Sequence, residues 1–305
     1  MISADRSEAI LIVNPYAGRL TDAERDNVIA ALDSRFALEV HHTTARDVAM
    51  KISRDAAGAG ADLVIAFGGD GHVNEVANGV AGTDTILGIV PGGTMNVFAR
   101  ALGISNDPFA AVVNLERRVG SEPRRVPLGL MDDRYFTFSA GCGFDAEAAA
   151  RVERDIPKKR RFGELFFYWS AFRVLATSYR HRSAVMSVKG SFGEERVAMA
   201  IGCNSGPYAY LHGRAIELAP RVRLAEGLDL FAMRTMRIEA LPMYAWRCLM
   251  SGNLVDHHDV FYRSDLDAFE VVAQTPFARH VDGEPLPSAT SARFSIEPDV
   301  LKVFA

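Results

Sequence analysis

Hydrophobic residues in the first part of the chain form short uninterrupted runs, and each run is followed by a segment with helical spacing. The runs at 63–67 and 86–90 are apolar throughout, which is typical of strands buried on both faces of a parallel sheet. After the first run, apolar residues recur at helical spacing from 73 to 80. Residues 21–24 have the form of a capping box and predict a helix start. This alternation predicts a doubly wound, mostly parallel α/β domain over residues 1–126.

The pattern changes after residue 126, where strand-like segments follow one another across turns with few helical stretches between them. These segments are 135–140, 184–189, 196–204, 227–235, 269–273 and 292–297. They predict a second domain, antiparallel and rich in β-strands, over residues 127–297.

Two glycine-rich loops follow neighbouring predicted strands. Gly68-Gly69-Asp70-Gly71 comes after the first apolar run, and Pro91-Gly92-Gly93-Thr94 comes after the second. Glycine lets the backbone turn sharply and approach a ligand closely, and the helix N-terminus beyond the loop offers unpaired N–H donors. Open α/β sheets bind ligands at this edge, so the two loops together predict a phosphate site. The alternative is a pair of turns that only allow strand and helix to pack, since neither a Rossmann fingerprint nor a Walker loop is present.

Composition narrows the class of protein. The 305 residues are 49% hydrophobic, which suits a globular chain with two cores, and the net charge of −4 lacks the basic excess of a nucleic-acid binder. The three cysteines stand singly, so neither a disulfide framework nor a zinc site is indicated. No apolar run approaches the ~18 residues of a spanning helix. We therefore expect a cytoplasmic protein that is not integral to a membrane and has no nucleic-acid partner.

Five segments together resemble the diacylglycerol kinase catalytic-domain family of soluble lipid kinases, which includes bacterial diacylglycerol and phosphatidylglycerol kinases, sphingosine kinases and ceramide kinases. The segments are Asn14-Pro15-x-Ala17-Gly18, Gly68-Gly69-Asp70-Gly71-x-x-Asn74-Glu75-Val76-x-Asn78-Gly79, Pro91-x-Gly93-Thr94-x-Asn96-x-Phe98-Ala99-Arg100, Gly143-Phe144-Asp145-Ala146 and Asp282-Gly283-Glu284. The match follows the family's order along nearly the whole chain. It implies an ATP- and Mg²⁺-dependent kinase whose active site lies in a cleft between the two domains, with residues 298–305 returning to the first.

The resemblance also implies a role for each matching residue. The nucleotide contacts are expected at Asn14, Thr43, Gly68, Gly69, Asp70, Gly71, His72, Asn74, Glu75, Gly93, Thr94 and Asn96. Glu284 is expected to be the general base toward the lipid hydroxyl, and Asp70 a second catalytic residue that acts through Mg²⁺ or holds the loop. The metal is expected at the carboxylate of Glu226 and at the backbone carbonyls of Arg223 and Leu228. For Thr43, the cap of a helix over 45–57 is an alternative role.

Two residues depart from the family pattern, and they motivate another function. His72 stands where the family usually has threonine, and Glu226 replaces the usual aspartate. A protonated His72 would assist phosphate binding, whereas a neutral ring would crowd the site. A non-catalytic nucleotide or lipid sensor is therefore an alternative. An NAD kinase is another, because its Gly-Gly-Asp-Gly and Asn-Glu elements are similar.

A basic cluster at 158–161 precedes an aromatic segment that continues to 175. Cations suit anionic headgroups and aromatic rings suit the membrane interface, so residues 158–175 predict a peripheral contact with the inner face of the membrane that holds the lipid substrate. A helix packed on the β-rich domain is the alternative. A homodimer is left open.

His257-His258-Asp259 resembles a metal-binding sequence, but adjacent side chains point apart on a strand or a helix. We therefore expect no shared metal ion at this tripeptide.

Overall fold

The computed structural model describes residues 6–18, 20–144, 146–147, 185–211, 214–251 and 253–305. The chain divides into two compact units, which we call the first unit (Met1–Pro127 with Pro298–Ala305) and the second unit (Leu128–Glu297). The division falls one residue after the expected boundary at 126, and residues 298–305 join the first unit. The segment 158–175 lies outside the described residues, so its expected membrane contact stays a prediction.

The first unit is built on a parallel sheet, as the apolar runs predict. Its strands are β1 (Glu8–Val13), β2 (Ala37–His42), β3 (Leu63–Gly68), β4 (Ile86–Pro91) and the final residues of β16 (Glu284–Val303). β3 lies between β1 and β4, β2 is paired outside β1, and Lys302 of β16 lies opposite Ile86 of β4. Every residue of β3 is buried, which confirms a central strand covered on both faces.

Five helices connect these strands: α1 (Asp22–Asp33), α2 (Val48–Gly58), α3 (Asp70–Val80), α4 (Val97–Ala101) and α5 (Pro108–Arg118). The predicted capping box is confirmed, since the Thr21 hydroxyl accepts from the N–H of Glu24 and the Glu24 carboxylate accepts from the N–H of Thr21. The core joins the strands to α1 and α5 through side chains such as Leu11, Ile65 and Leu115. This packing fixes the strand ends that carry the glycine loops.

The second unit is mainly antiparallel, which confirms the predicted fold class. β5 (Arg124–Met131) leads into it, and the further strands are β6 (Arg134–Phe136), β7 (Ser139–Gly143), β8 (Met186–Gly190), β9 (Gly193–Val197), β10 (Met199–Cys203), β11 (Ala209–Leu211), β12 (Arg214–Ile216), β13 (Leu228–Met233), β14 (Val260–Leu266), β15 (Ala268–Val281) and β16 up to Glu297. The pairing order is β14, β13, β10, β7, β15, and β15 also pairs with β8 and β16. One core cluster includes Phe269 stacked on Phe294 with ring centroids 4.5 Å apart.

The strands of the second unit differ from the prediction in several details. The segment 196–204 is divided between β9 and β10, because Ala198 bends the chain and donates its N–H to the carbonyl of Met233. β11, β12 and β14 were not predicted, and the predicted strand 135–140 is divided between β6 and β7. β15 and β16 are longer than predicted, since register shifts between Val272 and Phe277 break the two-residue alternation that identifies a strand.

The second unit also contains helix α6 (Leu241–Trp246), which continues as a π-helical turn at Arg247–Ser251. Tyr244 of α6 is buried in a second apolar cluster of this unit, with Met243 and Cys248 packed against that cluster. The hydroxyl of Tyr244 donates to the carboxylate of Asp259 at 2.6 Å. One face of α6 is therefore attached to the β-sheet.

Candidate active site

The ends of four parallel strands bring predicted nucleotide-binding residues to one edge of the sheet in the first unit. Asn14 follows β1 and donates its N–H to the carbonyl of Phe67 at 3.0 Å. Thr43 follows β2 and donates its N–H to the carbonyl of Val13 at 2.9 Å. The N–H of Gly92 donates to the carbonyl of Gly68 at 2.8 Å, so the ladder between β3 and β4 continues into both glycine loops.

The two glycine loops contact each other through Gly69 and Gly93. A Cβ atom on Gly93 would lie 2.6 Å from the Cα atom of Gly69 and 2.8 Å from Oδ1 of Asn96. A Cβ atom on Gly69 would lie 3.3 Å from the Cα atom of Gly93. The loops can approach this closely because neither glycine carries a side chain.

Asn96 holds the second loop in shape. Its backbone is left-handed, with φ 49°, a conformation that asparagine tolerates better than most residues. Its side chain accepts from the N–H of Gly93 at 3.0 Å and donates to the carbonyl of Gly93 at 2.7 Å. Thr94 is exposed. Asn96 therefore brackets Gly93, while the hydroxyl of Thr94 is accessible to a ligand.

The first loop runs directly into the N-terminus of α3. The first helical hydrogen bond joins the N–H of Val73 to the carbonyl of Gly69 at 3.0 Å. The N–H groups of Gly71 and His72 come before Val73 in the first turn, where a helix has no carbonyl of its own to accept them. The N-terminus of a helix also carries a partial positive charge. This end of α3 is therefore suited to phosphate groups.

Asp70 and Asn74 lie on the first turns of α3. Oδ1 of Asp70 accepts from the N–H of Phe98 at 3.4 Å, which ties α3 to the start of α4. Asn74 is buried, and its Oδ1 accepts from Nδ2 of Asn78 at 3.1 Å. The contact to Phe98 supports the loop-holding role of Asp70, and its action through Mg²⁺ stays a prediction.

The side chain of His72 is directed into the core of the first unit, toward β1 and β3. Nε2 donates to the carbonyl of Ile12 at 2.9 Å, and a Cβ atom on Gly68 would lie 2.7 Å from Cδ2 of the ring. Burial lowers the pKa of His72 to about 4, although the hydrogen bond to Ile12 opposes that shift. The expectation that the ring binds or crowds the phosphates is wrong for this conformation, because the neutral ring packs against β1 and β3.

The low pKa of His72 predicts a pH-dependent stability. Protonation favours the unfolded chain, so stability is complete above pH 6.5 and falls as the pH drops toward 4. Between pH 7.5 and 5, protonation of this one group should lower the free energy of unfolding by about 2 kcal/mol. Urea unfolding at the two pH values measures it. His72→Gln keeps an amide donor for the carbonyl of Ile12. It should reduce the difference in unfolding free energy between the two pH values by about 2 kcal/mol.

His42→Gln is the matched control, because this histidine is exposed at the end of β2. It should leave the wild-type pH difference unchanged. An equal pH difference in the wild type and in His72→Gln would show that His72 titrates normally.

Glu75 is engaged at the start of α2. Its carboxylate accepts from the N–H groups of Asp47 at 3.0 Å and Ala49 at 3.1 Å, and no side chain of α2 itself caps that helix. The carboxylate of Glu75 therefore caps the N-terminus of α2 and is directed away from the glycine loops. The cap role for Thr43 is wrong, since Thr43 is buried and its hydroxyl donates to the carbonyl of Val13 at 3.3 Å.

The contact between the glycine loops predicts the effect of Gly93→Ala. The added methyl group would push the second loop away from Gly69. We therefore expect the ATP binding that the resemblance implies to weaken at least about tenfold, which corresponds to about 1.4 kcal/mol. Isothermal titration calorimetry measures the affinity. Gly58→Ala is the matched control, because a Cβ atom there meets nothing within 4 Å. Equal affinity of the two variants would contradict the role of the loop contact.

In the second unit, Asp282 and Gly283 form the two-residue turn between β15 and β16. Both have positive φ, 47° and 80°, which suits the tight hairpin that Asp-Gly favours. Val281 lies opposite Glu284 across this turn. Nδ1 of His280 accepts from the N–H of Gly283 at 3.2 Å. Glu284 is therefore the first residue of a strand whose start is fixed by the turn.

The carboxylate of Asp282 is buried and accepts four hydrogen bonds. Its donors are the N–H and the hydroxyl of Thr137, both at 2.7 Å, and the N–H groups of Phe138 and Ser139, both at 3.0 Å. Burial raises the pKa of Asp282, and the three backbone donors oppose that shift. Of the two acidic residues that flank Gly283, Asp282 is buried and Glu284 remains partly exposed.

Residues around Thr137 support the turn, and the sequence reasoning missed them. The carbonyl of Thr137 accepts from Nδ2 of Asn204 at 3.0 Å and from the hydroxyl of Ser205 at 3.1 Å. The N–H of Asp282 in turn donates to the carbonyl of Ser139 at 2.7 Å. Polar residues within the mostly apolar segment 136–143 were a signal that could have found this network.

Two of the three predicted metal ligands share one turn. Glu226 is exposed, and its N–H donates to the carbonyl of Arg223 at 3.0 Å. Leu228 begins β13 opposite Leu266. One carboxylate with backbone carbonyls is an oxygen donor set that fits Mg²⁺ with several waters. The neighbouring Asp229 is buried and accepts from the hydroxyl of Tyr262 and the N–H of Asp265.

His257 and His258 lie closer together than we expected. Their ring centroids are 4.1 Å apart, and with Asp259 their ligand atoms fall within 4.8 Å of one another. The expectation that these side chains point apart is therefore wrong. Burial raises the pKa of Asp259, but hydrogen bonds from Tyr244, Arg237 and Thr235 lower it to about 2. The guanidinium of Arg237, 2.8 Å from the carboxylate, already supplies the positive charge there.

Comparisons with known proteins agree with these features. Residues 8–131 match the diacylglycerol kinase catalytic domain, and residues 139–305 match the YegS C-terminal NAD kinase beta sandwich-like domain. The chain is 28% identical to a diacylglycerol kinase of Bacillus subtilis, over 90% of this chain and 89% of the relative. It is 30% identical to a probable YegS-like lipid kinase of Pseudomonas aeruginosa, over 98% and 94%.

A solved structure shows the same fold. The crystal structure of a putative diacylglycerol kinase from Bacillus anthracis superposes with a TM-score of 0.75 at 22% identity, covering 98% of this chain and 96% of that one. Both parts of the chain thus match domains of one family, and the whole length is shared with its members. The chain belongs to the diacylglycerol kinase catalytic-domain family of lipid kinases.

Proposed function

We propose that the protein transfers the γ-phosphate of ATP to a hydroxyl group of a membrane lipid, either diacylglycerol or a sphingoid lipid such as ceramide or sphingosine. One observation supports this most: the hairpin turn in the second unit buries Asp282 and leaves Glu284 as its partly exposed carboxylate. A family of kinases that act on alcohols needs one such group to accept a proton.

The residues of each unit have separate tasks in this proposal. The N–H groups at the N-terminus of α3 hold the phosphates, and the second loop, which contacts Gly69 through Gly93, adds the exposed hydroxyl of Thr94. Glu284 accepts the proton of the lipid hydroxyl while the oxygen of that hydroxyl bonds to the γ-phosphorus. The bond between the γ-phosphorus and the oxygen of the leaving ADP breaks. Glu226, Arg223 and Leu228 would hold Mg²⁺, which neutralises phosphate charge when bound. The cleft between domains stays a prediction.

Of the two residues that favoured a non-catalytic sensor, His72 no longer does so. His72 packs against β1 through Ile12, so its ring no longer argues for a crowded phosphate site. Glu226 in place of aspartate remains, and a carboxylate one methylene longer still supplies the same oxygen donors. An active kinase is therefore the better proposal.

The test is a transfer assay with labelled ATP, Mg²⁺ and a panel of micellar lipids. Label in a lipid supports the proposal, label in NAD supports an NAD kinase, and nucleotide binding without transfer supports the sensor. Mass spectrometry of the product formed in a whole-membrane extract identifies the acceptor.

The relation to the membrane is part of the proposal. In the part of the chain that the structure describes, no helix combines the length and the apolar character needed to cross a bilayer. A cytoplasmic enzyme that meets the inner face of the membrane peripherally would have access to its substrate. A homodimer stays a prediction.

A further inference from the structure

Two large apolar side chains are exposed at the end of α6. Trp246 is 62% exposed and Met250, four residues further along the same helical segment, is 55% exposed. Residues four apart lie on the same side of a helix, so these two side chains form one apolar surface, which we call the Trp246 surface. Exposed apolar patches that are rimmed by polar residues mark protein or membrane interaction sites.

The Trp246 surface is held firmly by the rest of the second unit. Tyr244 on the opposite face of the helix is buried and bonded to Asp259. Nη1 of Arg247 donates to the carbonyl of Asn253 at 3.4 Å. The exposed side chains are therefore presented by a helix whose other face is packed in the core.

Positive charge borders this surface. Nη1 of the exposed Arg214, on β12, lies 3.8 Å from Sδ of Met250, and Arg247 is the neighbour of Trp246. Glu239, before α6, is the acidic residue of the adjoining turn. Arginine stems lie along apolar surface while their guanidinium groups reach anionic headgroups, and tryptophan prefers the interface of a bilayer.

We propose that the Trp246 surface inserts into the headgroup region of an anionic lipid bilayer. The charge of Arg214 and Arg247 favours this occupant over an uncharged apolar partner. The inference rests on the proposed function, since an enzyme whose acceptor is a membrane lipid must reach the bilayer. It does not depend on residues 158–175.

Fluorescence tests insertion directly. The chain has two tryptophans, so Trp169→Phe leaves Trp246 as the sole reporter. Phosphatidylglycerol vesicles with brominated acyl chains should quench its emission, and unbrominated vesicles should shift it to shorter wavelength. Phosphatidylcholine vesicles should do neither at physiological salt. Unquenched Trp246 fluorescence under saturating brominated vesicles would overturn the proposal.

Vesicle co-sedimentation of otherwise unchanged chains gives a second measurement. Trp246→Ala should weaken binding to phosphatidylglycerol vesicles by about tenfold, and Arg214→Gln by about fivefold. Phe109→Ala, an exposed aromatic in the first unit, is the matched control and should bind normally. Equal vesicle binding by Trp246→Ala and Phe109→Ala would overturn the proposal. It would also be overturned if the wild type bound no vesicles and formed a dimer that Trp246→Ala could not form, because the surface would then be a contact between two copies of the chain.

Activity separates this inference from the proposed function. Trp246→Ala should lose activity on vesicle-embedded lipid in proportion to its binding, and should keep full activity on a short-chain acceptor dissolved in water. Quenching of Trp246 without transfer to any acceptor would support the surface and overturn the kinase proposal.

Discussion

Glu284→Gln is expected to lower phosphate transfer by two to four orders of magnitude, the usual contribution of a positioned general base. Glutamine has nearly the same shape as glutamate but cannot accept the proton of the lipid hydroxyl. The nucleotide contacts that we propose lie in the first unit, so the affinity for ATP should change by less than about twofold. Single-turnover transfer to a micellar lipid and calorimetry with ATP measure the two quantities.

Glu270→Gln is the matched control for this experiment. Glu270 is also a partly exposed glutamate of the second unit, and it lies within β15 opposite Arg293. Its replacement should leave both transfer and ATP affinity unchanged. Unchanged transfer in Glu284→Gln would remove Glu284 from the role of base, even if the protein proves to be an active kinase.

Asp282→Asn is expected to lower the free energy of unfolding by at least about 3 kcal/mol. The buried carboxylate accepts from Thr137, Phe138 and Ser139, and an amide NH₂ group would face some of these donors. Buried N–H groups left without an acceptor cost about 1–3 kcal/mol each. Urea denaturation at pH 7.5 measures the loss.

Asp267→Asn makes the same chemical change at an exposed position of the second unit, in the turn between β14 and β15. Surface substitutions of this kind usually stay within about 0.5 kcal/mol. If Asp282→Asn proved as stable as Asp267→Asn, the four hydrogen bonds to Asp282 could not be what fixes the turn before Glu284.

The sequence allowed most of the fold to be predicted, because hydrophobic periodicity records which faces are buried. The run at 63–67 and the capping box at Thr21 could be placed without coordinates. The full length of β15 could not, because its register shift after Val272 interrupts alternation without ending the hydrogen-bonded ladder. Local pattern predicts a strand's existence better than its extent.

The candidate site divides in a similar way. Backbone features were predictable, since glycine loops after parallel strands meet at one edge of the sheet. Side-chain partners were not, because they come from residues far along the chain. His72 meets Ile12, Glu75 meets Ala49, and Asp282 meets Thr137. Family resemblance assigned the first two to the nucleotide, whereas packing against neighbouring elements directs their side chains elsewhere.

The pairing of residues 302–303 with β4 has a consequence for synthesis on the ribosome. The parallel sheet of the first unit receives this strand more than 200 residues after Leu87, its partner. Until then one side of β4 is an open edge that can join another chain. A fragment limited to residues 8–131 would keep this edge permanently, so recombinant expression of that fragment should yield aggregates where the whole chain remains dispersed.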